Sequence, residues 1–142
     1  IENPDLQVRF TKRMAALGLS PNSFGLHMAT AAYSQDGATW VDELIKYLDG
    51  NRELFDAGIN AIPGLKSMRL EATYLAWVDF SETGMTKEDF IARVENHAKI
   101  AVNYGSTFGS GGEHFLRFNI GTTRANVKLA VTKMQEAFKD LQ

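Results

Sequence analysis

The stretch Phe115-Leu116-Arg117-Phe118-Asn119-Ile120 is apolar at every second position. In a β-strand successive side chains point to opposite faces, so Leu116, Phe118 and Ile120 share one face and Phe115, Arg117 and Asn119 the other. The extended segment is expected to run from His114 to Ile120. A second alternating run lies upstream, from Met68 to Phe80, where Ala72, Tyr74, Ala76, Val78 and Phe80 alternate with Thr73, Leu75, Trp77 and Asp79. Both of its faces are largely apolar, which predicts an inner strand. Ile100-Ala101-Val102-Asn103 reads as a third, short strand. Such a sheet has to bury its apolar face against another layer, and the remaining segments are helical.

From Pro4, Leu6, Val8, Phe10, Met14 and Leu17 have loose helical spacing that ends at Gly18. Ser20-Pro21-Asn22-Ser23 offers capping residues before an alanine-rich run, Phe24 to Tyr33, that is apolar nearly all round and so wants burial on more than one side. Ser34 to Gly37 reads as a loop. The clearest helix runs from Trp40 to about Ile62, capped by Thr39, with Val41, Leu44, Ile45, Leu48, Phe55, Ile59 and Ile62 on one stripe. Gly50 and Gly58 each cost about 1 kcal/mol there relative to alanine and offer places to bend. Pro63-Gly64 ends it, Ser81 to Met85 is a loop, and Thr86 caps a helix that carries Phe90, Ile91, Val94 and Ala98 inward. A last helix starts near Thr122 or Thr123 and buries Val127, Ala130, Val131, Met134, Ala137, Phe138 and Leu141. The fold class is α+β, a small sheet with helices packed on it and a long helix in front.

The composition narrows the chemistry. The chain has 142 residues, 44% of them hydrophobic and 23% charged, a balance that supports one folded core. The absence of cysteine removes disulfides, thiolate metal sites and cysteine nucleophiles. Fifteen basic against seventeen acidic residues give a net charge of −2 with no basic block, which argues against nucleic acid as a partner. Neither a membrane-length apolar run nor a signal-peptide pattern is present, so a soluble, cytoplasmic protein is expected. The first residue is Ile1, and the chain is expected to be either a piece of something larger or a processed product.

Few residues invite a chemical role on spacing alone. Gly105 to Gly112 is glycine-rich, but it lacks the Gly-Lys-Ser/Thr ending of a phosphate loop and opens into a strand, so it reads as a connection. His27, His97 and His114 stand too far apart for a metal-ligand pattern. No nucleophile elbow occurs. Arg117 stands out, because a guanidinium amid apolar neighbours is expensive unless an anion answers it. Its fork suits a carboxylate, either that of an acid substrate or one of the chain's own acids; the remaining alternative is plain exposure to solvent.

Three blocks together carry a resemblance. They are Glu71-Ala72-Thr73-Tyr74-Leu75-Ala76-Trp77-Val78-Asp79, then Val102-Asn103-Tyr104-Gly105-Ser106-Thr107-Phe108-Gly109, then Gly112-Glu113-His114-Phe115-Leu116-Arg117-Phe118-Asn119-Ile120-Gly121 with Arg124. They resemble the C-terminal part of fold-type I pyridoxal-phosphate enzymes, in the cystathionine β-lyase-like (C–S lyase) branch of the class I/II aminotransferases. Upstream, Ala31-Ala32-Tyr33, Trp40, Tyr47-Leu48 and Asn51 extend the likeness over nearly the whole chain.

The resemblance implies that residues 1–38 are the end of a large cofactor-binding domain, and that 39–142 form a long linking helix and the small C-terminal domain. Arg117 would then bind the substrate α-carboxylate, with Asn119 as support and Tyr74 and Phe108 near the interdomain cleft. The pyridoxal 5'-phosphate of the full-length protein would act as an electron sink for chemistry on amino acids. The lysine that bears it would lie outside this chain, since none of Lys12, Lys46, Lys66, Lys87, Lys99, Lys128, Lys133 or Lys139 has the family's sequence setting. The fragment is therefore expected to be inactive alone, to bind no cofactor, and to pair with the missing domain or self-associate as a dimer. The family's proline before Arg124 is replaced by Thr123, which predicts a capped helix start. The alternative to a piece of an enzyme is a stand-alone α+β ligand-binding or interaction module without cofactor.

Overall fold

The computed structural model describes residues 1–141, and the chain divides into two compact units, Ile1–Glu43 and the residues from Leu44 onward. The first unit contains helix α1 (Pro4–Ala16), helix α2 (Ser23–Ala32) and the start of helix α3 (Gln35–Asn60). Local chemistry sets these ends. The Asn3 side chain accepts the Leu6 N–H at 3.1 Å with Pro4 just inside the helix, and Asn22 accepts the Gly25 N–H at 2.6 Å. No residue of α1 or α2 is buried.

Helix α3 begins earlier than its apolar stripe predicts. Ser34 takes the capping place by accepting the Gly37 N–H at 3.1 Å, while Thr39 lies inside the helix and donates to the Gln35 carbonyl. The loop expected over residues 34–37 is thus shortened to its first residue. The helix then runs unbroken through Gly50 and Gly58. A Cβ at Gly58 would stand 2.2 Å from Val131 Cγ1, so this glycine serves the close approach of a later helix.

The second unit holds a four-stranded antiparallel sheet of β1 (Lys66–Ser67), β2 (Leu75–Asp79), β3 (Asn103–Tyr104) and β4 (Phe115–Asn119), in the order β1-β2-β4-β3. The inner position expected for β2 is observed, but the strand is shorter than 68–80. Thr73 has φ +65°, which breaks the extended chain, and its hydroxyl accepts the Leu75 N–H. Likewise, Lys99 has φ +57° after a π-turn (Arg93–His97), so residues 100–102 do not pair and β3 starts at Asn103. Two-residue β1 carries no pattern of its own: it is held by its register with Val78 and Asp79, by the Ser67 N–H donating to Asn60 Oδ1 at 2.8 Å and by the Ser67 hydroxyl donating to Asp56 at 2.6 Å.

One face of the sheet is dry. Ala76, Val78, Leu116 and Phe118 lie in a single core with Phe55 and Ile59 of α3, Phe90 of α4 (Lys87–Ala92), Val94, and Val127, Val131 and Met134 of α5 (Arg124–Ala137). Phe80 joins the layers, stacking on Phe90 at 4.8 Å and meeting Phe138 at 5.9 Å between ring centroids. The other face presents Trp77, Phe115 and Arg117, all half-buried.

Polar contacts fasten the helices. Thr123 caps α5, as expected. The fully buried Asn51 donates to the Ile120 and Thr122 carbonyls at 3.0 and 2.9 Å and accepts from Arg124 Nε at 3.0 Å. Arg124 also donates to the Tyr47 carbonyl at 2.6 Å and lies over the Tyr47 ring. Near the C-terminus Arg93 grips Asp140 with two hydrogen bonds, which hold the Asp140 carboxyl below its ordinary range. Because that value is lowered on folding, the clamp contributes above the ordinary carboxylate range and is lost as the pH falls through the lowered value. Replacing Asn51 by alanine strands two carbonyls and a guanidinium N–H; we expect a loss of about 3 kcal/mol, read as a lower urea midpoint at unchanged slope.

Candidate functional site: an arginine on the open face of the sheet

Strand register builds the site. Arg117 of β4 lies opposite Trp77 of β2 on one side and Asn103 of β3 on the other. Its Nη2 donates to Asn103 Oδ1 at 2.9 Å, and its guanidinium carbon sits 4.5 Å from the centroid of the Phe108 ring. Trp77 meets Phe108 edge-on at 5.6 Å and stacks on Phe115 at 5.4 Å, so the cation stands beside an aromatic wall. Among the described residues no carboxylate lies within ion-pair distance of Arg117. Its Nε is buried and has no hydrogen-bond partner among them. A buried, unanswered N–H on a cation is costly.

The turn that delivers Phe108 is tightly closed. Residues Gly105–Phe108 form one 3-10 turn, and a Cβ at Gly105 would stand 2.3 Å from the Gly112 carbonyl oxygen. The glycine-rich connection is therefore a compact loop folded back on itself. Lys87 Nζ donates to Ser106 Oγ at 2.9 Å and Thr107 Oγ1 to the Tyr104 carbonyl at 2.7 Å. Neighbouring Tyr104 donates its hydroxyl to Glu95, both carboxylate oxygens lying at 3.0 Å, and this bond raises the phenol above its ordinary pKa. Strand β3 is thereby tied to the π-turn.

The structure gathers Arg117 and Phe108 and separates the other two candidates from them. The supporting contact expected from Asn119 falls to Asn103: Asn119 Oδ1 accepts the Gly121 N–H at 2.8 Å and closes the turn after β4. Tyr74 packs over Gly121, where a Cβ would stand 2.9 Å from its ring, and continues the ladder by accepting the Ile120 N–H. The sequence placed Asn103 in a short strand, but its contact with Arg117 follows from the register of β3 with β4, which spacing along the chain does not show. A shallow groove of about 270 Å³ lined by Ile45, Leu48, Arg52 and residues 70–73 includes neither Arg117 nor Phe108.

The described residues hold no metal-binding cluster of His, Asp or Glu, and no helix among them is long and apolar enough to cross a membrane. No protein-family model matches the chain. Sequence comparison aligns it with the cystathionine β-lyase PatB of Bacillus subtilis at 32% identity over 133 residues, covering 92% of this chain and 34% of that protein. Among solved structures, cystalysin of Treponema denticola, which contains pyridoxal 5'-phosphate, superposes with a TM-score of 0.88 at 30% identity, over 100% of this chain and 36% of that one. The homologues of this chain are cystathionine β-lyases and pyridoxal-phosphate-dependent aminotransferases, and it matches their C-terminal part. A PLP-bound C–S lyase of Staphylococcus hominis gives a TM-score of 0.83 at 25% identity, over 97% of this chain and 35% of that one. The resemblance and the α+β fold are thus confirmed, and the chain spans about a third of the length of the curated relatives it matches.

The residues present do not make a pyridoxal phosphate site. Such a site needs a lysine held at the cofactor carbonyl. Every lysine here is exposed or half-buried, and Lys87, beside the Gly105–Phe108 turn, is engaged by Ser106. Replacing Glu95 by glutamine is expected to bring the Tyr104 phenol pKa down toward the ordinary value of about 10, followed by alkaline titration of its ring carbon resonance.

Proposed function

We propose that the full-length protein is a pyridoxal-phosphate-dependent enzyme acting on amino acids, either a C–S β-lyase or an aminotransferase, and that this chain supplies the arginine for the substrate α-carboxylate. One observation carries the reading: among the described residues Arg117 has a buried Nε with no partner and no carboxylate within ion-pair distance, and it lies on the sheet face turned from the core. A cation used only for stability would be paired or fully solvated. In this reading two N–H bonds fix the carboxylate and thereby the orientation of the α-carbon, while Trp77, Phe108 and Phe115 wall the position on one side.

The cofactor and its lysine belong, on this proposal, to the part of the enzyme outside the chain, and the chain alone is inactive. Residues 1–38 would complete the large domain, and 39–142 would form the linking helix and small domain. Exposed apolar side chains on the first unit support a missing cover: Phe24 is 79% exposed, Met28 68% and Tyr33 93%. Surfaces of that kind on soluble chains mark interfaces.

Two outcomes test the proposal. Arg117→Ala in the full-length protein should weaken amino-acid binding about a hundredfold or more while leaving the cofactor absorbance intact; affinity within a few-fold of the parent would sink the assignment. The isolated chain should self-associate or bind an apolar dye at high concentration. A strictly monomeric, dye-silent species would count against the missing cover.

A further inference from the structure

The contacts of Arg117 also say what aims it. A guanidinium on a flexible stem can present any of several N–H edges, and a clamp works only if one of them faces the ligand. Asn103 Oδ1 accepts from Nη2 at 2.9 Å from the paired position on the neighbouring strand, and the Phe108 ring covers one face of the plane at 4.5 Å. The first contact opposes rotation within the plane and the second opposes tilting out of it. Asn103 is itself anchored through Tyr104, whose hydroxyl is bound by Glu95 and whose carbonyl is bound by Thr107.

The chemistry of the acceptor matters as much as its place. An amide oxygen holds Nη2 without neutralising the cation, so the positive charge remains unanswered. An aspartate in the same position would supply an internal anion and compete with the ligand. We propose that Asn103 is the positioning residue of the clamp: a neutral acceptor that turns the Arg117 fork toward the substrate carboxylate while leaving it charged. The proposal rests on the reading of Arg117 as the carboxylate-binding residue.

The test uses the full-length protein and two probes, propanoate and the uncharged propanamide, with binding read from the Arg117 Nε–H resonance in ¹⁵N-resolved NMR. In the parent, propanoate should shift that resonance and propanamide should not. Asn103→Ala should weaken propanoate binding about tenfold and broaden the resonance, because the fork is no longer held. Asn103→Asp should weaken it about a hundredfold, because the new carboxylate takes the fork. Both variants should keep the parent's thermal midpoint within a few degrees, since Asn103 is exposed and β3 pairs through its backbone. If both variants bind propanoate within threefold of the parent while Arg117→Ala abolishes binding, the positioning role is wrong and the clamp stands. If propanoate leaves the parent's resonance unmoved, the clamp reading fails and the positioning role falls with it.

Discussion

The pairing of β2 with β4 is the constraint on which the site depends. Its register sets Ala76 against Phe118, Val78 against Leu116, and Trp77 against Arg117. The first two pairs face the helices and the third faces away, because side chains alternate along each strand. A slip of one residue would carry the guanidinium into the core and the buried leucine and phenylalanine into water. Core burial therefore holds the charge on the open face, and the position of Arg117 follows from hydrophobic packing on the opposite side.

Around that pair, polar groups do what apolar packing cannot, which is to choose one arrangement among several compact ones. Asn51 is the clearest case. Its side chain reaches from the middle of α3 to the two carbonyls that end the β4 segment and to the arginine that opens α5. Three elements meet at one amide, and each atom of it is used. The Arg93–Asp140 pair and the Tyr104–Glu95 bond act similarly on the π-turn, one from the C-terminal end of the chain and one from β3. Arg117 differs from Arg93 and Arg124 in its company: Arg93 has a carboxylate and Arg124 an amide oxygen and a main-chain carbonyl, whereas the buried Nε of Arg117 has no partner among the described residues.

The first unit follows a different logic. Its helices are well capped and regular, yet expose leucine, phenylalanine, methionine and tyrosine side chains to an extent that the second unit does not. Regular helices of this length are marginal by themselves, so their apolar faces need tertiary cover. The curated relatives are about three times as long as this chain.

The sequence by itself determined the class of fold, the positions of most helices, the alternation of the two main strands and the suspicion about Arg117. Those features are local or periodic, written in spacing and capping residues. It also suggested the relatives, through three blocks in order. Tertiary structure alone decided the rest. The chain bends at Thr73 and Lys99, which no propensity announces, and so shortens two expected strands. Strand β1 is set by partners distant in sequence, β2 beside it and Asp56 and Asn60 of α3, which hold Ser67. Asn103, not Asn119, reaches Arg117, because neighbours across a sheet are set by register between segments far apart in sequence, and because the Asn119 Oδ1 is already taken by the Gly121 N–H.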